Sequence, residues 1–216
     1  MEISILCTDQ NHPVIKSLQR WADEMTLTGH SVSLLYDRSD LQGGDILFLV
    51  SCSQFIRSVE KRKYRASLVL HASDLPNGRG WSPYVWSILS GDNQITVSLL
   101  EASEPIDSGS IWFKTKFFLE GHELLPEIYN KLFSAELLLM TQAVDQFEIV
   151  KPIPQSKELG LYLKKRSPAD SKLDPNKTIS EQFDLLRVVD SERYPAFFEY
   201  RNNRYILRIE KDERNE

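Results

Sequence analysis

The chain opens with apolar runs of strand length, separated by polar segments of which two carry helical spacing. Ile3 to Cys7 is the first run and predicts strand one. Asp9-Gln10-Asn11-His12-Pro13 then offers a helix start, with Asn11 as cap and Pro13 in the first turn. Val14, Leu18, Trp21 and Ala22 recur at helical spacing and carry a helix to about Met25. Ser31 to Tyr36 reads as strand two. Asp45 to Ser51 reads as strand three, after a polar turn with paired glycines. Phe55, Ile56 and Val59 suit a short helix ending in Glu60-Lys61-Arg62-Lys63, where basic residues meet the negative end of the helix dipole. Ala66 to Leu70 is strand four. This β-α-β-β-α-β order predicts parallel strands joined by crossover helices.

Strand four runs into a Gly/Pro-rich loop, Leu70 to Pro83, in which two glycines flank Arg79. Tyr84 to Leu89 reads as a helix closing at Gly91, and Thr96 to Leu100 as a strand. The polar segment Glu101 to Gly109 follows, then a strand from Ile111 to Phe118. Leu124 to Gln146 is the clearest helix, with Ile128, Leu132, Ala135, Leu139 and Ala143 on one stripe. The composition then shifts. Lys151 to Asn176 is rich in Pro, Ser and Lys, and reads as a linker and extended segment. A small unit follows: a short helix, Ser180 to Val189, and two strands, Ala196 to Tyr200 and Tyr205 to Ile209, joined through Arg201-Asn202-Asn203-Arg204. Glu210 to Glu216 reads as a disordered tail. The division expected is a body over 1–150 and a C-terminal segment over 151–216.

Composition narrows the function classes. Of 216 residues, 41% are hydrophobic and 26% charged, as in soluble globular proteins. A net charge of −5 argues against a nucleic-acid partner, which needs a basic face. No apolar run approaches the roughly 20 residues that span a bilayer, so no membrane partner is expected. The first residues lack the basic and apolar regions of a signal peptide. Cys7 and Cys52 read as buried thiols of a reducing compartment, and the expected location is the cytoplasm. No Gly-x-Gly-x-x-Gly follows strand one and no phosphate-binding Gly-Lys-Ser/Thr loop occurs. His12, His30, His71 and His122 lie far apart without a supporting Cys pair, so no metal site is expected.

The candidate chemistry lies at strand ends. His71 stands at the exit of strand four, where open α/β sheets place their ligands. Asp107 stands in the loop after the strand Thr96 to Leu100. If those strands are neighbours, imidazole and carboxylate meet in one cleft. The histidine can then exchange a proton near neutral pH, with the carboxylate orienting it.

The residues around this pair carry a resemblance. His71-Ala72-Ser73-Asp74-Leu75-Pro76, then Arg79-Gly80, Pro83, Ile88-Leu89 and Gly91, then Asp107-Ser108-Gly109, resemble the folate-dependent formyltransferases. The resemblance covers roughly residues 45–146. Arg166-Ser167-Pro168-Ala169-Asp170-Ser171 is similar to an Arg-x-Pro-x-Asp box of members with an appended segment. Arg187 followed by Tyr194-Pro195-Ala196-Phe197 is similar to their arginine before a Tyr-Pro-x-x-Phe turn. Within the family the chain looks most like the sugar N-formyltransferases, in wording associated with nonulosonic (pseudaminic) acid pathways. The short, acidic segment after Lys151 counts against the transfer-RNA version.

The resemblance implies an α/β, Rossmann-like, mostly parallel sheet with a small helix-plus-hairpin extension. It implies transfer of the formyl group of 10-formyltetrahydrofolate to the amine of a nucleotide-linked amino sugar, without a metal. Formyl transfer to another amine, and a non-catalytic binding relative, are the alternatives. His71 and Asp107 are the implied catalytic residues. Leu49, Ser51, Ser53, Gln54, Leu75, Glu101 and Asp107 are the implied folate contacts. Ser73, Arg79, Gly80, Trp81, Arg166 and Arg187 are the implied acceptor contacts, the arginines because guanidinium grips phosphate as a fork. One position departs from the family pattern Asn-x-His-x-Ser-x-x-Pro: the asparagine is replaced by Val69. Losing one oxyanion donor typically costs about 10²–10³ in rate, so Ser67, Ser51 or loop amides are the expected replacements. The hairpin around Asn202-Asn203 exposes strand edges and predicts a homodimer through the C-terminal segment.

Overall fold

The computed structural model describes residues 1–156, 158 and 160–212. In chain order it contains β1 (Glu2–Leu6), α1 (Ile15–Leu27), β2 (Ser31–Leu35), β3 (Gly44–Leu49), α2 (Ser58–Lys61) and β4 (Tyr64–His71). Then come β5 (Arg79–Gly80), α3 (Pro83–Leu89), β6 (Gln94–Glu101), β7 (Ile111–Phe118) and α4 (Leu125–Asp145). The last elements are β8 (Tyr162–Leu163), α5 (Phe183–Val188), β9 (Ala196–Tyr200) and β10 (Asn203–Leu207).

Six strands form the central sheet in the order β2-β1-β3-β4-β6-β7. The first four are mutually parallel, and β6 and β7 add antiparallel pairs. Residue alternation sorts the sheet's two faces. Ile3, Ile5, Ile46, Phe48, Leu68 and Leu70 turn toward α1 and α4, where Leu18, Trp21, Leu132 and Leu139 cover them. Leu6, Leu47, Leu49 and Val69 turn the other way, under Leu41, Ile56 and Tyr64. Strands buried on both faces read as continuous apolar runs rather than alternating ones. The chain leaves β1 toward β2 on one side and returns to β3 on the other. The gap between the carboxyl ends of β1 and β3 is therefore the topological switch point, where such sheets bind ligands.

Several element ends differ from the expectation. Asn11 does not cap α1; the helix starts after Val14, whose N–H donates to His12 Nδ1 at 3.2 Å. The side chain two residues before this start captures the amide that Asn11 was expected to hold. The hairpin turn is Arg201-Asn202, both at positive φ, so β10 begins at Asn203, two residues early. Lys211 Nζ reaches Glu127 Oε1 at 2.6 Å, which ties down part of the expected tail; residues 213–216 lie outside the described residues. The stretch read as a linker is stitched to the body. Ile153 bridges to Ile111, and β8 pairs with β5. Val188 of α5 joins Val85 and Ile88 of α3 in one apolar cluster. Among the described residues no helix is long and apolar enough to cross a membrane.

Candidate active site

A cavity of about 620 Å³ straddles the carboxyl edge of the sheet. One lobe lies on the α2 side, between Leu49, Cys52, Ile56, Val69 and Ala102. The other lies on the α4 side, between His12, Tyr84, Tyr129, Leu132, Phe133 and Glu136. Strand pleating explains the partition, since β4 sends Leu70 to one lobe and Val69 to the other. His71 follows Val69 at the next same-side position, at the junction.

His71 and Asp107 meet there. His71 Nδ1 lies 3.8 Å from Asp107 Oδ1, and both side chains are more than nine-tenths buried. His71 Nε2 lies 2.8 Å from the Gly78 carbonyl oxygen. A carbonyl only accepts, so Nε2 carries the hydrogen, and Nδ1 is the nitrogen left to take a proton. Asp107 is fixed separately, because Oδ2 accepts the Gly80 N–H at 2.9 Å.

The route by which Asp107 arrives differs from delivery by a parallel neighbour. β6 runs antiparallel to β4 and ends beside Leu68, below His71. The chain then leaves the sheet and folds back. That return holds Asp107 at φ +60°, a left-handed conformation aspartate tolerates better than most residues. Three anchors hold the turn. Arg79 Nε and Nη2 both donate to the Ile106 carbonyl, at 3.0 and 2.7 Å. Gln155 Nε2 donates to the Asp107 and Gly109 carbonyls, at 3.0 and 2.7 Å. Gly109 lies so close to Glu101 that an added Cβ would stand 1.9 Å from the Glu101 carbonyl oxygen. The loop before Arg79 is clamped from β7, where Lys114 Nζ reaches Asp74 Oδ1 at 2.5 Å and the Leu75 carbonyl at 2.8 Å.

The residues expected around the pair divide by placement. Leu49, Ser51, Ser53, Gln54, Gly80, Trp81, Arg166 and Asp107 line the cavity. Ser51 turns the chain at φ +47°, while Ser53 is tied to Thr8 across the switch point, N–H to Oγ1, at 2.8 Å. The Gln54 amide is engaged: Oε1 accepts the Arg38 N–H and Nε2 donates to Asp37. Leu75 is packed inside the loop and Glu101 meets Trp112 Nε1 at 3.4 Å; neither lines the cavity. Ser73 is buried, with its Oγ unpartnered among the described residues.

Two arginines require correction. Arg79 spends its guanidinium on the Ile106 carbonyl, so it positions Asp107 instead of facing a phosphate. Arg187 is 1% exposed, with Nε on Asp184 at 2.7 Å and Nη2 on Asn93 at 2.7 Å. It lies under α3, away from the cavity lining. A fully buried cation must be paired, and Arg187 uses its fork for that purpose. Ser67 donates toward the Lys61 carbonyl and does not line the cavity, so it does not stand in for the missing asparagine.

Cations gather on one rim. Lys165 Nζ sits 4.6 Å above the Trp81 ring, and Arg166 Nη2 donates to the Asp170 carbonyl while its buried Nε has no partner among the described residues. Burial holds the Arg166 guanidinium below its ordinary range. Opposite, Arg193 bonds Asp190 and Asp9, fastening the C-terminal segment to the loop after β1. Gln155, Glu136, Tyr129 and Arg193 carried no motif in the sequence. Only Glu136 left a trace, as an acid inside the apolar stripe of α4.

Comparison with known proteins gives the family and the fold. The sequence model of the family described as formyl transferase matches residues 10–144. The bifunctional polymyxin resistance protein ArnA of Wigglesworthia glossinidia brevipalpis is 27% identical over 143 residues, covering 65% of this chain and 22% of ArnA. The methionyl-tRNA formyltransferase of Rickettsia felis is 34% identical over 118 residues, covering 54% of this chain and 38% of that protein. The chain thus spans well under half the length of these curated relatives. Among solved structures, a methionyl-tRNA formyltransferase from Clostridium thermocellum superposes with a TM-score of 0.82 at 22% identity, over 100% of this chain and 95% of that one. HypX from Aquifex aeolicus in complex with tetrahydrofolic acid gives 0.79 at 22%, over 96% and 37%. A sugar N-formyltransferase from Shewanella gives 0.70 at 17%, over 98% of each chain. With more than half of its length matched by the family's sequence model, this chain belongs to the formyl transferase family.

Proposed function

We propose that this protein transfers the formyl group of 10-formyltetrahydrofolate to the amine of a nucleotide-linked amino sugar. The observation that carries the reading is the buried His71–Asp107 pair at the junction of two lobes. A two-substrate transfer needs such a junction, because holding both reactants in contact supplies on the order of 7–11 kcal/mol of the barrier.

The α2-side lobe suits a flat bicyclic ring. Leu49, Ile56, Val69 and Ala102 form apolar walls, and the turn Ser51–Gln54 presents backbone groups to the ring edge. A folate bound there places its formyl carbon toward His71. The neutral acceptor amine attacks that carbon from the α4-side lobe. As the new carbon–nitrogen bond forms, His71 Nδ1 takes the amine proton, and Asp107 attracts the imidazolium that results. The bond to the folate nitrogen then breaks, and the proton passes to that leaving nitrogen. The Nε2–H bond to Gly78 keeps the ring oriented throughout. Val69 supplies no donor to the developing oxyanion, which leaves protonated Nδ1 as the charged group nearest the reacting carbon.

The sugar-nucleotide part of the reading is supported by the rim. Trp81 offers a flat face, and Lys165 and Arg166 offer positive charge toward a diphosphate. Methionyl-tRNA is the second reading, favoured by the 34% identity to the Rickettsia protein. The exposed hairpin, with Tyr200 and Tyr205 on one face and Ile206 on the other, is the element through which two chains would pair; a light-scattering mass of one chain removes that part of the proposal. The deciding experiment incubates the protein with 10-formyltetrahydrofolate and either UDP- and dTDP-linked amino sugars or charged methionyl-tRNA. Mass spectrometry is expected to find the formyl group on a sugar. Formylation of methionyl-tRNA alone would overturn the sugar assignment and leave the transfer chemistry intact.

A further inference from the structure

Glu136 takes no part in the transfer described above, yet it stands in the wall of the α4-side lobe. It is 7% exposed, and its Oε2 has no hydrogen-bond partner among the described residues. Its position follows from helix geometry: Glu136 falls one turn after Leu132 and three residues before Leu139, on the inward face of α4. Around it the lobe is lined by Leu132, Phe133, Tyr129 and His12. The Tyr129 and Phe133 rings stack at 5.0 Å between centroids, which gives this wall a flat aromatic surface. Buried polar groups in folded proteins are hydrogen-bonded, and an exception calls for a reason. Glu136 lines an open cavity, so the partner can arrive with a ligand seated there.

We propose that Glu136 selects the acceptor, by hydrogen-bonding a hydroxyl or acetamido group of an amino sugar seated in the α4-side lobe. This rests on the proposed function and assigns its specificity. Burial raises the Glu136 carboxyl to about 8, so at neutral pH it is an uncharged acid with one O–H to donate and a carbonyl to accept. That pairing suits a neutral group with both capacities. An ammonium ion finds no charge there. An aliphatic side chain, such as that of a methionyl acceptor, leaves the acid buried and unpaired. Sites built to hydrogen-bond a polar group reject analogues lacking it far more strongly than apolar pockets reject a size change. The aromatic wall supplies contact to the apolar face of a sugar ring, while Glu136 reads what projects from its edge.

The test compares wild type with Glu136→Leu and Glu136→Gln. Acceptor KM and kcat are measured with the best amino sugar, acceptor binding by calorimetry, and folate binding by fluorescence quenching as a check on the fold. Glu136→Leu is expected to raise acceptor KM and weaken acceptor binding by about tenfold or more, with kcat and folate affinity little changed. Glu136→Gln keeps a donor and an acceptor and is expected to stay within about threefold of wild type. If sugars bind and Glu136→Leu weakens them but no formyl is transferred, the transfer reading fails and the assignment of Glu136 stands. Transfer with acceptor KM unchanged in Glu136→Leu overturns the assignment and spares the transfer. Absence of any sugar binding to the wild type overturns both.

Discussion

Arg187 separates a structural arginine from a phosphate-binding one by experiment. Replacement by methionine keeps much of the side-chain volume and removes the charge. The cost follows from the partners lost. The bond to Asp184, which is 46% exposed, contributes at most about 1 kcal/mol. The 2.7 Å bond to Asn93 is charge-assisted and is worth about 1.5–3 kcal/mol. Glu123, 4.0 Å from Nη1, is not orphaned by the change. Its own burial favours the neutral acid, but Lys131 Nζ at 2.6 Å and the Glu120 and Gly121 amides outweigh that and hold its carboxyl down to about 2. The loss should therefore fall below the 3–5 kcal/mol typical of breaking a buried pair, at about 2–3 kcal/mol. For a chain of this size that lowers Tm by roughly 5–10 °C. Calorimetry reads the Tm, and steady-state kinetics read the acceptor KM, which is expected to stay within about twofold, because a side chain with no contact to substrate contributes no binding energy. An unchanged Tm with a tenfold higher KM for a nucleotide-linked acceptor would refute the reasoning and return Arg187 to the site.

Three further outcomes follow from the geometry. Val69→Asn restores an amide on the His71 side of β4 and is expected to raise kcat by about tenfold or more, with a ceiling of order 10³ set by the worth of one oxyanion donor; stopped-flow rates that do not move would mean another group already supplies it. Gly109→Ala places a methyl against the Glu101 carbonyl and should displace the turn that carries Asp107. Its kcat is expected to fall by about 10² while folate still binds, since misplacing a catalytic group by about 1 Å costs that much; full activity would contradict the role given to this turn. Glu136 makes stability depend on pH. Its folded value of about 8 lies above the ordinary 4.5, so the native state holds the proton through that window. Its contribution is whole below about pH 4.5 and is lost as pH rises through 8, by at most roughly 5 kcal/mol. Denaturant titrations of wild type and Glu136→Gln should therefore diverge between pH 5 and 8, with wild type losing ground; parallel curves would contradict it.

The core of the fold was legible because its strands are buried on both faces and stand out as apolar runs of the right length. Ile111 to Phe118 matched β7 at both ends, and the stripe from Ile128 to Ala143 matched the buried face of α4. Helix starts were less legible. Asn11 has a capping side chain, but His12 reached the Val14 amide instead, a choice made by local geometry that composition does not encode. The meeting of His71 and Asp107 was legible through the surrounding motif. Its support was not, because Arg79 acts through a backbone carbonyl and Gln155 lies in a stretch without periodicity. Both anchor a turn that exists only once the chain after β6 has folded back. Arg187 shows the converse error. Residue type suggested a phosphate ligand, and burial decided otherwise. Glu136 was readable as a charge inside an apolar stripe, although the stripe alone does not reveal that a cavity lies beside it.

The most direct test of the whole account is the rate of formyl transfer from 10-formyltetrahydrofolate to a nucleotide-linked amino sugar by wild type and by His71→Ala at matched folate saturation. The account expects turnover in wild type and a loss of about 10²–10⁴ in kcat in the variant, the range a positioned acid–base group supplies, with folate binding retained. Equal rates in the two proteins, or folate binding with no turnover in wild type, would contradict it.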